Sequence, residues 1–186
     1  EVDFAGNSGC TPDRTLRTDN TAPGAPRGLA VTGGEGWHRT NGFGLSWTNP
    51  GQEVAAPIVA SRYRVTGDGF DSGVLGNFAP GAADGVLLPG PGEFHVTVWL
   101  VDAAGNTSES NSASATLRLD DVPPSGYLIE PEAERPEVIR AAVSDGHSGV
   151  AAGRISVRKV GGGEWIDLPT QAGVTGEVWA RFPSDE

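Results

Sequence analysis

Phe94-His95-Val96-Thr97-Val98-Trp99-Leu100-Val101-Asp102-Ala103-Ala104-Gly105-Asn106 is the stretch whose reading decides the fold. Phe94, Val96, Val98 and Leu100 alternate with His95, Thr97 and Trp99, the period of two expected of a strand with one buried face. The run stops at Asp102 to Asn106. There Gly105 can take positive φ at no steric cost, and short Asp and Asn side chains can bond local backbone. The same ending stands 99 residues earlier as Asp3-Phe4-Ala5-Gly6-Asn7. Each copy is followed by a Thr-Leu-Arg triplet, at Thr15-Leu16-Arg17 and Thr116-Leu117-Arg118. Asp19-Asn20 with Pro23, and Asp120-Asp121 with Pro123, then close the two copies. A repeat near 100 residues, ending strand, turn, strand, polar pair and proline, predicts an array of similar modules.

The rest of the composition fits that array. The chain has 186 residues with 28 Gly and 14 Pro, an apolar fraction of 37%, and five Trp. Those figures suit thin, loop-rich sandwiches whose strands each hide one face, and no long apolar-periodic helix is visible. The formal charge of −11 argues against nucleic acid, because phosphate binding needs a basic stripe. It also disfavours anionic membranes, and no run is apolar and long enough to insert. The acidic residues are dispersed, which reads as a solvated, soluble surface. A single cysteine, Cys10, excludes an internal disulfide framework and is expected to be a free thiol, unless a partner lies upstream. The chain has no Met and no signal-peptide core, so it is expected to be an excerpt of a longer polypeptide.

Taken in order, residues 1–20 read as the C-terminal end of a preceding repeat. Residues 21–120 read as a complete module, and residues 121–186 as the start of another that lacks its last two strands. Pro23, Pro26, Pro123 and Pro124 stiffen the boundaries. In the complete module, Leu29-Ala30-Val31 predicts a first strand. Phe43, Leu45 and Trp47 share one face of a second. Tyr63 and Val65 face inward on a third, with Arg62 and Arg64 outward. Val86-Leu87-Leu88 predicts another, followed by the strand from Phe94 and a last one through Ala113, Ala115 and Leu117. About seven short strands predict an all-β, two-sheet sandwich. Beyond it, Val138 to Val143, Ile155-Ser156-Val157, Trp165-Ile166 and Val178 to Phe182 predict four or five more strands, with Asp145 to Val150 as a tight connection.

Pro26-x-x-Leu29, Leu45-Ser46-Trp47-x-x-Pro50, Tyr63-x-Val65 and the long penultimate strand resemble a fibronectin type III domain. The Asp-x-Ala-Gly-Asn turn and the Asp-Asn-Thr-Ala-Pro junction look like those of bacterial, especially actinobacterial, surface proteins with tandem Ig-like repeats. The resemblance covers residues 21–120 well and the flanks in part. It implies tandem Ig-like and fibronectin type III-like β-sandwich modules with Trp47 as the core tryptophan of the second strand. Phe94 departs from the pattern, since that family often has Tyr there.

The constellations that suggest chemistry are weak. Gly146-His147-Ser148-Gly149 is followed by Val150, so a nucleophile elbow lacks its last glycine, and no helix follows. His38, His95 and His147 are scattered without zinc spacing. Gly67-Asp68-Gly69-Phe70-Asp71-Ser72-Gly73 lacks the alternating carboxylates of a calcium loop and reads as a glycine-rich turn. Asn106-Thr107-Ser108 has the glycosylation pattern, but the turn role of Asn106 explains it better. No catalytic residue and no obligatory cofactor are expected. Ca²⁺ at the junctions is the alternative, with Asp102, Asp120 and Asp121 converging there, or Asp3 with Asp19 and Asn20.

A candidate binding face lies on the outward side of the organising strand. If Phe94, Val96 and Val98 point in, His95 and Trp99 point out. The fibronectin resemblance then puts Arg62 and Arg64 beside Trp99. The expectation is an exposed Trp99 stacked on arginine as a cation–π pair, with recognition of a sugar or protein surface as the other reading and cover by a neighbouring loop or module as a third. In sum, the sequence predicts a non-catalytic, extracellular segment of a secreted or cell-surface bacterial protein, acting as a spacer or adhesive array. Its partners would be neighbouring Ig-like modules of the same polypeptide, and a surface protein or carbohydrate. The alternative is a set of accessory, carbohydrate-binding modules of an extracellular hydrolase whose catalytic domain lies elsewhere.

Overall fold

The computed structural model describes residues 1–10, 14, 16–52, 56–77, 79–173 and 176–182. Strands account for all of its regular structure, so the fold is all-β. The first nine strands are β1 (Arg27–Val31), β2 (Trp37–His38), β3 (Phe43–Thr48), β4 (Ile58–Gly67), β5 (Phe70–Asp71), β6 (Leu75–Asn77), β7 (Ala82–Val86), β8 (Gly92–Asp102) and β9 (Thr107–Leu119). They form two sheets, β1-β3-β7 and β2-β9-β8-β4-β5, with β6 also paired to β4.

Residue alternation explains how the two sheets meet. Phe43, Leu45 and Trp47 all point from β3 toward Val65 of β4, Phe94, Val96, Val98 and Leu100 of β8, and Ala115, Leu117 and Leu119 of β9, in one buried cluster. Val65, Val96 and Ala115 share a row across the larger sheet. Arg62 and Arg64 fall on the other side of β4, out of phase with Val65 by an odd number of residues. Two inner faces meeting in this way make a β-sandwich. Trp47 is 8% exposed, and its indole N–H donates to Asn49 Oδ1 at 3.1 Å and Pro80 O at 2.9 Å. The polar edge of the ring is thereby satisfied inside an apolar setting.

Two local expectations shift. Val86-Leu87-Leu88 is not a strand of its own: β7 runs Ala82–Val86, Leu87 is exposed, and Leu88 returns to the core. Asn41 holds that corner, donating to Leu88 O and accepting from Leu88 N. The short β2 was not anticipated. It pairs in parallel with the end of β9 through Trp37↔Arg118 and His38↔Leu119, a long-range contact that local periodicity does not encode.

Beyond Leu119 come β10 (Ser125–Ile129), β11 (Val138–Ser144), β12 (Ile155–Val157), β13 (Ile166–Leu168), β14 (Thr170–Ala172) and β15 (Glu177–Arg181). They make the sheets β10-β11-β15-β14 and β12-β13. A second apolar cluster joins Ile155, Leu168, Val178 and Ala180, with Ile139, Ala141, Val143 and Val157 only partly buried around it. A cleft of about 370 Å³ opens between these sheets, lined by Leu128, Ala141, Val143, Ile155 and Val178 among others.

Candidate functional site

The outward face of β8 is the first place to test. His95 and Arg62 are exposed and Arg64 is half-buried there. Trp99 is not exposed: only 2% of it reaches solvent, so the expectation of an exposed aromatic is corrected. Its direction was read rightly, since Trp99 lies outside the core cluster that holds both Val98 and Leu100. Beside it the pairing of β9 is unequal. Trp99 pairs with Ser112, but Val101 pairs with Thr107, so Ser108, Glu109, Ser110 and Asn111 stand opposite the single residue Leu100. This stretch is a bulge, and Glu109 from it reaches back to Arg64, Oε1 to Nη1 at 3.2 Å. Arg64 Nε also lies 3.7 Å from Asp71 Oδ1. The arginines therefore serve ion pairs or solvent. Among the described residues the cation–π contact is Arg158 over Trp165, at 4.8 Å, not an arginine over Trp99.

The junction carboxylates are the second place. Gly92 pairs with Leu119 and Val101 with Thr107, so the antiparallel β8–β9 hairpin puts Asp102 and Asp120 at opposite ends of the sandwich. Convergence of Asp102 with Asp120 and Asp121 is thereby corrected. Among the described residues no group of three or more His, Cys, Asp or Glu is placed to hold a metal ion.

These carboxylates do something else. Asp102 Oδ1 accepts from the backbone N–H of Ala104 and Asn106, both at 2.9 Å, and Oδ2 accepts from Asn106 Nδ2 at 2.9 Å. Asp3 does the same with Ala5, Asn7 and the Asn7 amide. Asp145 repeats the backbone half, accepting from His147 N and Gly149 N. Such a carboxylate organises a turn by satisfying its amides. For Asp102, burial pushes the pKa up, but the Asn106 side chain and the backbone N–H groups of Asn106 and Ala104 outweigh it, holding the carboxyl below its ordinary 3.8. Asp3 is lowered too, chiefly by the Asn7 side chain.

Asp19 and Asp120, 101 residues apart and visible in the sequence as a repeated position, form a second matched pair whose bonding role sequence reading missed. Asp19 Oδ1 accepts from Thr21 N and Oδ2 from Ala56 N, at 3.0 and 2.6 Å. Asp120 Oδ1 accepts from Val122 N and Oδ2 from Ser148 N, at 3.2 and 2.9 Å. In each case one oxygen fixes the turn into the linker, and the other clasps a loop amide 37 or 28 residues further on. Hydrogen bonds from the Ser148 side chain and backbone hold Asp120 below 3.8, with a smaller contribution from the nearby His147 charge. The constant spacing behind the Thr-Leu-Arg triplet was the available signal; Thr15 itself lies outside the described residues.

Further contacts finish these junctions. Asn106 Nδ2 donates to Asp19 O at 3.0 Å and Asn111 Nδ2 to Pro23 O at 2.8 Å, tying the linker to β9 and its preceding turn. At the other end, the rings of Trp37 and His147 lie 6.0 Å apart. Arg39, Asp120, Asp121, Asp145 and Ser148 line a cleft of about 390 Å³ there. Asp121 is exposed. Cys10 is a free, exposed thiol.

No protein-family model matches the chain, and no curated protein matches it. Among solved structures, the crystal structure of FN3tt is similar at 15% identity and TM-score 0.38, over 55% of this chain and 99% of that one. The FN1–FN3 domains of chicken CNTN1 are similar at 12% identity and TM-score 0.40, over 97% of this chain and 64% of that one. The spore cortex lytic enzyme SleM of Clostridium perfringens is similar at 18% identity and TM-score 0.33, over 52% of this chain but only 28% of that one.

Proposed function

We propose that the chain is a non-catalytic segment of a secreted or cell-surface bacterial protein, in which successive β-sandwich modules act as a spacer of set length and angle. The observation that carries this reading is the repeated clasp. Asp19 and Asp120 use one carboxylate oxygen for the linker and the other for the following module, with the same partner geometry both times. A flexible tether needs no such bond, because proline and glycine alone set its reach. A clasp at both of these linkers instead restricts the angle between neighbours and stiffens the array. The proline pairs on the same linkers act in the same direction by fixing φ.

Residual dipolar couplings and small-angle scattering of the whole chain test this. Asp120→Ala, together with Ser148→Pro as a second route to the same lost bond, is expected to broaden the angular distribution across Val122–Pro124 while both apolar clusters keep their amide protection. Unchanged alignment of the two sides in both variants would refute the spacer reading.

A further inference from the structure

We propose that the outward face of the β10-β11-β15-β14 sheet is a binding site for a neutral glycan chain. Val178 and Ala180 of β15 point into the second apolar cluster, joined there by Ile139 and Ala141 of β11. Because strand side chains alternate, Glu177 and Trp179 of β15, and Arg140 and Ala142 of β11, stand on the opposite face. The register carries this across the sheet. Ile129, Arg140, Trp179 and Gln171 share one row, and Tyr127, Ala142 and Glu177 the next.

Two aromatic residues stand on this face. Tyr127 is 73% exposed, Trp179 is half-buried, and Ala142, on the strand between those that bear them, carries only a methyl group. Strands lie about 4.8 Å apart and residues rise about 3.4 Å each, so Tyr127 and Trp179 are separated by roughly 12 Å on the diagonal. That is a span of more than one sugar ring. A pyranose presents a C–H face that stacks on an aromatic plane and a rim of hydroxyls that needs in-plane donors and acceptors. This sheet supplies both kinds of surface.

The polar groups are already held in place. Arg140 Nε donates to Glu177 Oε1 at 2.5 Å, and Arg140 Nη1 pairs with Glu132, which also meets Arg135 Nη2 at 3.3 Å. Two arginines and two glutamates leave this network with no net charge, and Arg181, exposed two residues beyond Trp179 on the same face, stands outside it; the paired groups around the aromatic residues suit an uncharged polyhydroxylated ligand. Pre-set side chains also lose little freedom when a ligand arrives. The β1-β3-β7 sheet, built in the same order, carries Ala30, Ser46 and Ala82 in one outward row and Arg27 with Thr48 in the next. The aromatic pair is thus a property of one sheet and not of the architecture. This activity is separate from the spacing role, and its loss leaves the junction clasp in place.

Affinity electrophoresis of the whole chain through hydroxyethylcellulose, laminarin and glycol chitin, with pull-down on insoluble peptidoglycan, tests it. Retardation by at least one neutral glycan is expected, weakened about tenfold or more by Tyr127→Ala and by Trp179→Ala. Trp165→Ala, an equally large truncation away from the face, should bind as wild type. Should Trp179→Ala lower the melting temperature, Tyr127→Ala and Ala142→Arg, which puts a long charged side chain on the strand between the aromatic residues, carry the test alone. No binding to any of these glycans overturns the proposal. So does binding that survives the face variants, or binding only to an anionic glycan that salt abolishes.

Discussion

Trp99→Ala tests the burial of this outward-facing indole most directly. The indole is 2% exposed although it points away from the main core. Burying roughly 200 Å² of aromatic surface at about 25 cal/mol per Å² gives about 5 kcal/mol. Denatured chains already hide part of that area, so the usable figure is about 3–4.5 kcal/mol, within the roughly 3–5 kcal/mol typical of Trp→Ala in a packed site. Trp165, 62% exposed and stacked by Arg158, is the control, and Trp165→Ala should cost about 1 kcal/mol or less. The assay is urea unfolding followed by far-ultraviolet circular dichroism. With a slope of about 2 kcal/mol per molar, Trp99→Ala should lower the midpoint by about 1.5–2.3 M. Trp47→Ala should fall at least as far, since it also strands the Pro80 carbonyl that the indole N–H now satisfies. A Trp99→Ala midpoint indistinguishable from that of Trp165→Ala would refute the burial of Trp99.

Asp102 and Asp120 have folded pKa values below 3.8. Their stabilising contribution is therefore complete above that value and disappears as pH falls through the lower folded value. Carboxyl carbon shifts should titrate below 3.8 for both, and Asp120→Asn should flatten the acid limb of the melting curve; titration at or above 3.8 would contradict the hydrogen-bonded geometry. Gly67 sits at φ +152°, where an added Cβ would come within 2.8 Å of Glu93 O. Gly67→Ala should cost about 2–4 kcal/mol, whereas Gly85→Ala, at φ +70° in open space, should cost about 1–2; equal losses in urea melts would undo that distinction. Removing calcium with EDTA should leave the melting temperature unchanged, because oxygens of Asp19, Asp102 and Asp120 already accept backbone N–H groups. A shift of several degrees reversed by added Ca²⁺, and absent in Asp120→Asn with Asp121→Asn, would show a metal at the junction.

By itself the sequence determined the class of fold and the faces of its main strands. The alternations around Trp47, Val65 and Val96 are set by the pleat, and a pleat reverses side chains wherever the strand lies. It also determined the Asp-x-Ala-Gly-Asn turn, whose carboxylate bonds all run within five residues. Exposure was not legible in the same way. Periodicity says which face of a strand a side chain occupies, but not whether that face is covered. Trp99 points outward as its alternation requires and is nevertheless buried, next to an unequal pairing of β9 that only long-range hydrogen bonding fixes. The junction carboxylates divide likewise. Asp19 and Asp120 were visible as a repeat, yet their amide partners, Ala56 and Ser148, lie 37 and 28 residues away, and no local spacing names them. Asp102 and Asp120 looked like neighbours because both end strands. The antiparallel course of β8 and β9 decided otherwise and sent them to opposite ends.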